Sequence, residues 1–258
     1  MARASGADPV TLVREAAAGM AAFGHDPAGL VTTCRRVVDR QPGVGALWWL
    51  CARMLTSNDP RIEGRRAIVE ISEDPTADEL ALALPDAATV VVLGWPSIVG
   101  DGLSRRGDCR ALVVDTLGEG TGLVRRLRRA DVEAAEVPSS GLAAAVMSAS
   151  LVVLEASAIG PDSALCVAGS HAAAAVAYTS GVPVWLVGGV GRLLPTRMWE
   201  SLQQRVQGRG EAWEQDDELV PLGLINDICG VGGPESVADG LRRLDCPIAP
   251  ELLRTTAF

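Results

Sequence analysis

No lysine occurs in the chain; all 23 basic residues are arginine. Mechanisms that need a lysine nucleophile or a Schiff base are thereby excluded. Only two histidines are present, His25 and His171, too few for a histidine-rich metal site. The six cysteines (34, 51, 109, 166, 229 and 246) are widely spaced and form no Cys-x-x-Cys pair. Their mostly apolar surroundings suit free buried thiols better than disulfides or a zinc site. No metal and no cofactor is expected. No apolar run reaches the roughly 18 uninterrupted residues of a membrane span. Asp8, Arg14 and Glu15 interrupt any signal core at the N-terminus. A cytoplasmic protein without membrane contact is expected. The net charge of −9 also disfavours general or direct nucleic-acid binding. The one basic cluster, Arg125-Arg126-Leu127-Arg128-Arg129, falls on a predicted helix and reads as a solvated face.

What is present is an ordinary globular composition, 48% apolar and 21% charged over 258 residues, enough for one large domain or two small ones. Residues 1–8 are expected to be disordered, with Asp8 capping a helix that runs from Pro9 to Phe23. Asp26-Pro27, Asp59-Pro60 and Asp74-Pro75 repeat that start signal. With a helix from Val44 to Leu55, the first 85 residues read as five helices. Adjacent helix positions lie about 100° apart. Of Trp48 and Trp49, one is therefore expected in the core and the other against the second half of the chain.

After Pro85 the period changes. Thr89–Leu93, Ala111–Asp115, Asp131–Val137, Leu151–Leu154 and Val184–Val187 read as buried strands alternating with helices. That alternation predicts a parallel sheet with right-handed crossovers. Met198–Val206 is expected to be helical, 208–217 a polar loop, Glu218–Pro221 a short edge strand, and Glu235–Leu244 a last helix. Ligands bind at the carboxyl ends of such strands. Glycine, hydroxyl and acidic residues gather there: Gly94 and Ser97, Asp115 and Gly122, Glu155, Gly169 and Ser170, and Gly188. Ser170 is expected to N-cap its helix and to touch a ligand, with His171 beside it. Glu155, the one carboxylate ending a buried strand, is a candidate acid or base. Its structural alternative is an ion pair with Arg192.

The stretch from Leu154-Glu155-Ala156 through Pro161-Asp162 to Cys166-Val167-Ala168-Gly169-Ser170, then Val182-Pro183 and strand 184–187, resembles one known superfamily. That superfamily contains methylthioribose-1-phosphate isomerase, ribose-1,5-bisphosphate isomerase and the alpha, beta and delta subunits of translation initiation factor two-B. The helical first third and Glu218-Leu219-Val220-Pro221 are also similar. The resemblance implies an α/β fold: an N-terminal helical domain (1–85), then a Rossmann-like parallel sheet flanked by helices (86–258).

The departures bear on chemistry. Gly94-Trp95-Pro96-Ser97 holds no cysteine where the isomerases carry their catalytic one. Ala156 stands at the catalytic aspartate, Leu117-Gly118 at a phosphate-clamping Arg-Pro, and Cys166-Val167 at Asn-Lys. Acid and base groups each contribute roughly 10²–10⁴-fold to such isomerisations. A diverged, non-catalytic member is therefore expected, binding a phosphorylated sugar or nucleotide, or a partner segment. A homodimer or higher homo-oligomer is implied by the resemblance. Two alternatives stay open: a sugar-phosphate isomerase using Glu155 with His171 or Asp115, and an assembly module with a vestigial cleft.

Overall fold

The computed structural model describes residues 9–207 and 210–253. The expectations for residues 1–8, the Asp8 cap included, lie outside the described residues, as do positions 208 and 209 of the expected loop. Five helices come first: α1 (Pro9–Ala21), α2 (Pro27–Arg40), α3 (Gly45–Thr56), α4 (Pro60–Ser72) and α5 (Thr76–Ala83). The Asp-Pro signals act as read. Asp26 accepts from the Gly29 N–H, and Asp59 from those of Arg61 and Ile62. Each satisfies amides that the first helical turn leaves unpaired.

The sheet begins with β1 (Thr89–Leu93), α6 (Ser97–Arg106), β2 (Arg110–Asp115), α7 (Gly120–Arg129), β3 (Glu133–Pro138) and α8 (Leu142–Ser148). It continues with β4 (Leu151–Ile159), β5 (Ser163–Val167), α9 (Ser170–Ser180), β6 (Val184–Val187) and α10 (Thr196–Gln207). β7 (Asp217–Pro221), β8 (Asp227–Gly230), β9 (Gly233–Ser236) and α11 (Val237–Leu241) complete it. The main order is β3-β2-β1-β4-β6-β8-β9, parallel except for the β8–β9 hairpin. Val91, Val114, Val152 and Leu186 share one face with α8 and α9, while Val90, Val113 and Val153 share the other with α6 and α7. Burial on both faces is why these strands read as unbroken apolar runs.

Three expectations need correction. β4 does not end at Leu154. It runs on to Ile159, and its register shifts between Ala156 and Ala158. Before that bulge it pairs with β6. Beyond it, it leaves the main sheet and joins β5 and β7 in an antiparallel layer. The stretch from Ala156 to Cys166 is therefore a hairpin. Secondly, the expected helix 235–244 is present but shorter, as α11; its first two residues end β9, and β8 was missed. Thirdly, Trp48 and Trp49 are both fully buried. Trp48 Nε1 donates to the Pro42 carbonyl at 2.9 Å, and Arg205 of α10 lies 5.0 Å over its ring. Trp49 Nε1 donates to Asp245 at 3.3 Å. Both rings reach the second half of the chain because α10 and the C-terminal turn share the core of the first helices. A β-carbon on Gly45, at the start of α3, would stand 2.8 Å from the Ser157 carbonyl. Glycine there lets α3 rest directly on β4.

Candidate functional site

β1 and β4 are neighbours whose chain connections leave in opposite directions, so the strand order reverses between them. This is the topological switch point of the sheet, where a crevice opens at the carboxyl ends of the strands. A cleft of about 1280 Å³ lies there, walled by the α2–α3 and α4–α5 turns on one side and the sheet edge on the other. Ser97, Glu155 and Ser170 line it together.

Glu155 is the last residue of β4 to pair with β6, opposite Val187. Its Oε1 accepts from both terminal nitrogens of Arg192 at 3.1 Å. Its Oε2 accepts the Val99 N–H in the first turn of α6 at 3.0 Å. The two side chains are only 7% and 10% exposed. Arg192 also donates to the Ala156 carbonyl. The ion pair named as the structural alternative is therefore present.

The same device recurs along the sheet edge. Asp115 accepts the Gly120 N–H at 3.1 Å, at the start of α7. Glu218, from β7, accepts the His171 N–H at 2.7 Å, at the start of α9. Asp74 accepts the Thr76 N–H at 3.0 Å through one oxygen and the Val190 N–H at 2.8 Å through the other. Helix N-termini attract anions through their unpaired amides and dipole. Here four of them carry the protein's own carboxylates.

Ser170 is not an N-cap. Gly169 occupies that position at φ +94°, and no side chain of its own caps the helix. The sequence signal failed because the acceptor, Glu218, arrives from 47 residues away. Ser170 is instead buried on the cleft wall, at 1% exposure. His171 is exposed and does not line the cleft. Gly94 and Gly169 flank Thr116, whose buried hydroxyl has no partner. Gly122 lies under the ring of Trp95, where a β-carbon would come within 2.7 Å. Gly188 lines a separate small cavity between the β6 loop and the β8–β9 turn. The structure thus joins Ser97, Glu155 and Ser170, gives Asp115 a capping role, and sets Gly188 apart.

Trp95, Asp74, Arg126 and Glu119 also line the cleft and were missed. Trp95 had a signal: a large aromatic between a strand end and a proline is poorly placed for a core. Arg126 pairs with Asp101 across the α6–α7 contact. It is the member of the arginine cluster that faces the cleft.

No cysteine lines the cleft. All six are free and buried. Burial pushes the Cys229 and Cys246 thiols up to about 12, and that of Cys166 higher still. Such thiols are poor nucleophiles because the thiolate is the reactive form. Among the described residues, no group of His, Cys, Asp and Glu could hold a metal ion, and no helix is long and apolar enough to cross a membrane.

A helical cap over a switch-point cleft, with an antiparallel layer split from the central strand, defines an α/β class shared with several solved structures. The chain is similar to the translation initiation factor eIF-2B of Pyrococcus horikoshii OT3, with a TM-score of 0.76 at 14% identity, over 93% of this chain and 95% of that one. It is similar to eIF2B beta of Chaetomium thermophilum (TM-score 0.66, 18% identity, 95% and 84% of the two chains). A subunit of the tetrameric eIF2B-beta2-delta2 complex of C. thermophilum matches at 0.66 and 21% identity, over 88% and 83%. No protein-family model and no curated protein matches the chain. The chain has the eIF2B-like fold.

Proposed function

We propose that this chain is a non-catalytic eIF2B-like binding subunit whose cleft receives a segment of a protein partner. One observation carries the reading: the amides that would hold a phosphate are occupied by Glu155, Asp115, Glu218 and Asp74. A phosphate arriving there would meet carboxylates, and like charges at contact distance repel. Glu155, the carboxylate where β4 leaves the main sheet, is engaged through both oxygens. No thiol lines the cleft, and the sequence positions of the isomerases' cysteine and aspartate hold neither.

A second reading is favoured by Arg40, Arg105 and Arg126, which line the same cleft beside Ser97 and Ser170. On that reading a phosphorylated sugar or nucleotide binds away from the helix starts. A thermal-shift panel separates the two. A ligand at 100 times its Kd raises stability by about 2.7 kcal/mol. No shift is expected with ribose 5-phosphate, ribose 1,5-bisphosphate, AMP or GDP. A saturable shift with any of them, lost in R126Q, would replace the first reading by the second.

Self-association to a homodimer or higher homo-oligomer belongs to the same proposal. Met147 of α8 and Tyr178 of the neighbouring α9 are 63% and 68% exposed, apolar surface on two packed helices that a second copy could cover. One of the similar structures is itself a tetrameric complex. Light scattering at micromolar concentration should give a mass above 26.8 kDa, the mass of one chain.

A further inference from the structure

We infer that the cleft takes a basic segment of its protein partner, holding arginine or lysine side chains by charge and by the ring of Trp95. This rests on the partner-binding reading above and names the partner's chemistry. The first ground is charge. Seven carboxylates and four arginines line the cleft. Three of those arginines are already neutralised, Arg192 by Glu155, Arg126 by Asp101 and Arg105 by Asp78. Glu119, Glu214 and Asp216 have no ion pair among the described residues. Against these three carboxylates stands one arginine without an ion pair among the described residues, Arg40, so the balance left in the cleft is acidic, and complementary charge steers and orders an incoming segment.

Trp95 supplies an independent ground. It is 42% exposed, lines the cleft and rests on Gly122. An indole ring presented in this way attracts a guanidinium or ammonium group through its electron-rich face. The third ground is Ser170. At 1% exposure it stands on the cleft wall, and its hydroxyl has no hydrogen bond among the described residues. Unlike the enclosed Thr116 hydroxyl, it stays accessible from the cleft. It can therefore meet the backbone of a bound segment, which offers a donor and an acceptor at every residue. The size agrees as well. At about 1280 Å³ the cleft exceeds the roughly 300–1,000 Å³ of small-molecule sites.

The test is fluorescence anisotropy of a labelled, end-blocked decapeptide with arginine at alternate positions, beside its lysine and glutamate counterparts. The full chain is titrated at low and at physiological salt. The arginine and lysine peptides should bind, the arginine one more tightly, and the glutamate peptide should not. W95A should weaken the arginine peptide about three- to tenfold, the range of a cation–π contact. The double variant E119Q/D216N, which preserves shape, should weaken it by about as much. D162N/E200Q removes two exposed charges away from the cleft and should leave affinity unchanged. An equal loss in that control would overturn the inference, because diffuse charge alone would then be at work. So would an absence of arginine-peptide binding, or spermine competing as well as the peptide does. Failure of the peptide with no response to sugar phosphates sinks this inference alone. A thermal shift with ribose 5-phosphate or AMP sinks the partner-binding reading beneath it.

Discussion

Replacing Arg192 with methionine removes the cation from the switch point and leaves its shape nearly unchanged. Glu155 would then stand at 10% exposure with only the Val99 N–H facing it. The Ala156 carbonyl, at the bulge where β4 leaves the main sheet, would lose its donor as well. Breaking a buried pair from one side costs about 3–5 kcal/mol, because a charge is left without compensation. For a chain of this size each kcal/mol moves the melting temperature by about 2–4 °C, so R192M should melt about 6–20 °C lower. The double variant E155L/R192M removes both charges and should recover most of that loss, since apolar replacement of a buried pair is often neutral. The assay is urea unfolding followed by tryptophan fluorescence, with all four corners of the cycle measured. A change under about 0.5 kcal/mol in R192M, the range of an ordinary surface substitution, would refute the reasoning. A double variant as unstable as R192M would refute the pairing itself.

Three further outcomes follow from the same structure. G160A should destabilise by about 1–3 kcal/mol, because its new methyl group would enter the buried indole of Trp199; a wild-type urea midpoint would contradict that packing. E218A should cost about 0.5–2 kcal/mol, as helix caps do, and should leave the His171 N–H open to an anion. Phosphate should then stabilise E218A and not the wild type; equal responses would remove Glu218 as the occupant. Stability should also fall in alkali. Cys246 loses its proton near 9.0 when unfolded and near 12 when buried, so between those values the folded state holds the extra proton. The contribution is therefore complete below about pH 9 and is lost as pH rises toward 12, at about 1.4 kcal/mol per unit for one thiol. C246A should show a shallower decline of urea stability between about pH 9 and 11, and an unchanged slope would contradict it.

Much of the framework was legible because local chemistry decided it. Asp26-Pro27 and Asp59-Pro60 set helix starts with no help from the rest of the chain. The runs Thr89–Leu93 and Val184–Val187 are strands that neighbours bury on both faces, and their composition says so. What stayed hidden depended on distant partners. Glu155 looks like the end of a strand, because nothing nearby reveals that Arg192 will pair with it and that a bulge will carry β4 into a second sheet. Ser170 carries a local capping signal that a carboxylate from β7 overrides. Asp227–Gly230 and Gly233–Ser236 are short and glycine-rich, and only their pairing on the edge of β6 makes them strands. The candidate site was legible as a place, the carboxyl edge of the sheet. Its charge balance was not, since that depends on which arginines are already spent on which carboxylates.

The central claim is that this cleft binds without catalysing. It is tested most directly by incubating the wild-type protein with methylthioribose 1-phosphate and with ribose 1,5-bisphosphate, and following the anomeric and ketose carbons by NMR. No conversion above the uncatalysed rate is expected from either compound. Appearance of the ketose in the presence of wild type, and its loss with E155Q, would contradict the account.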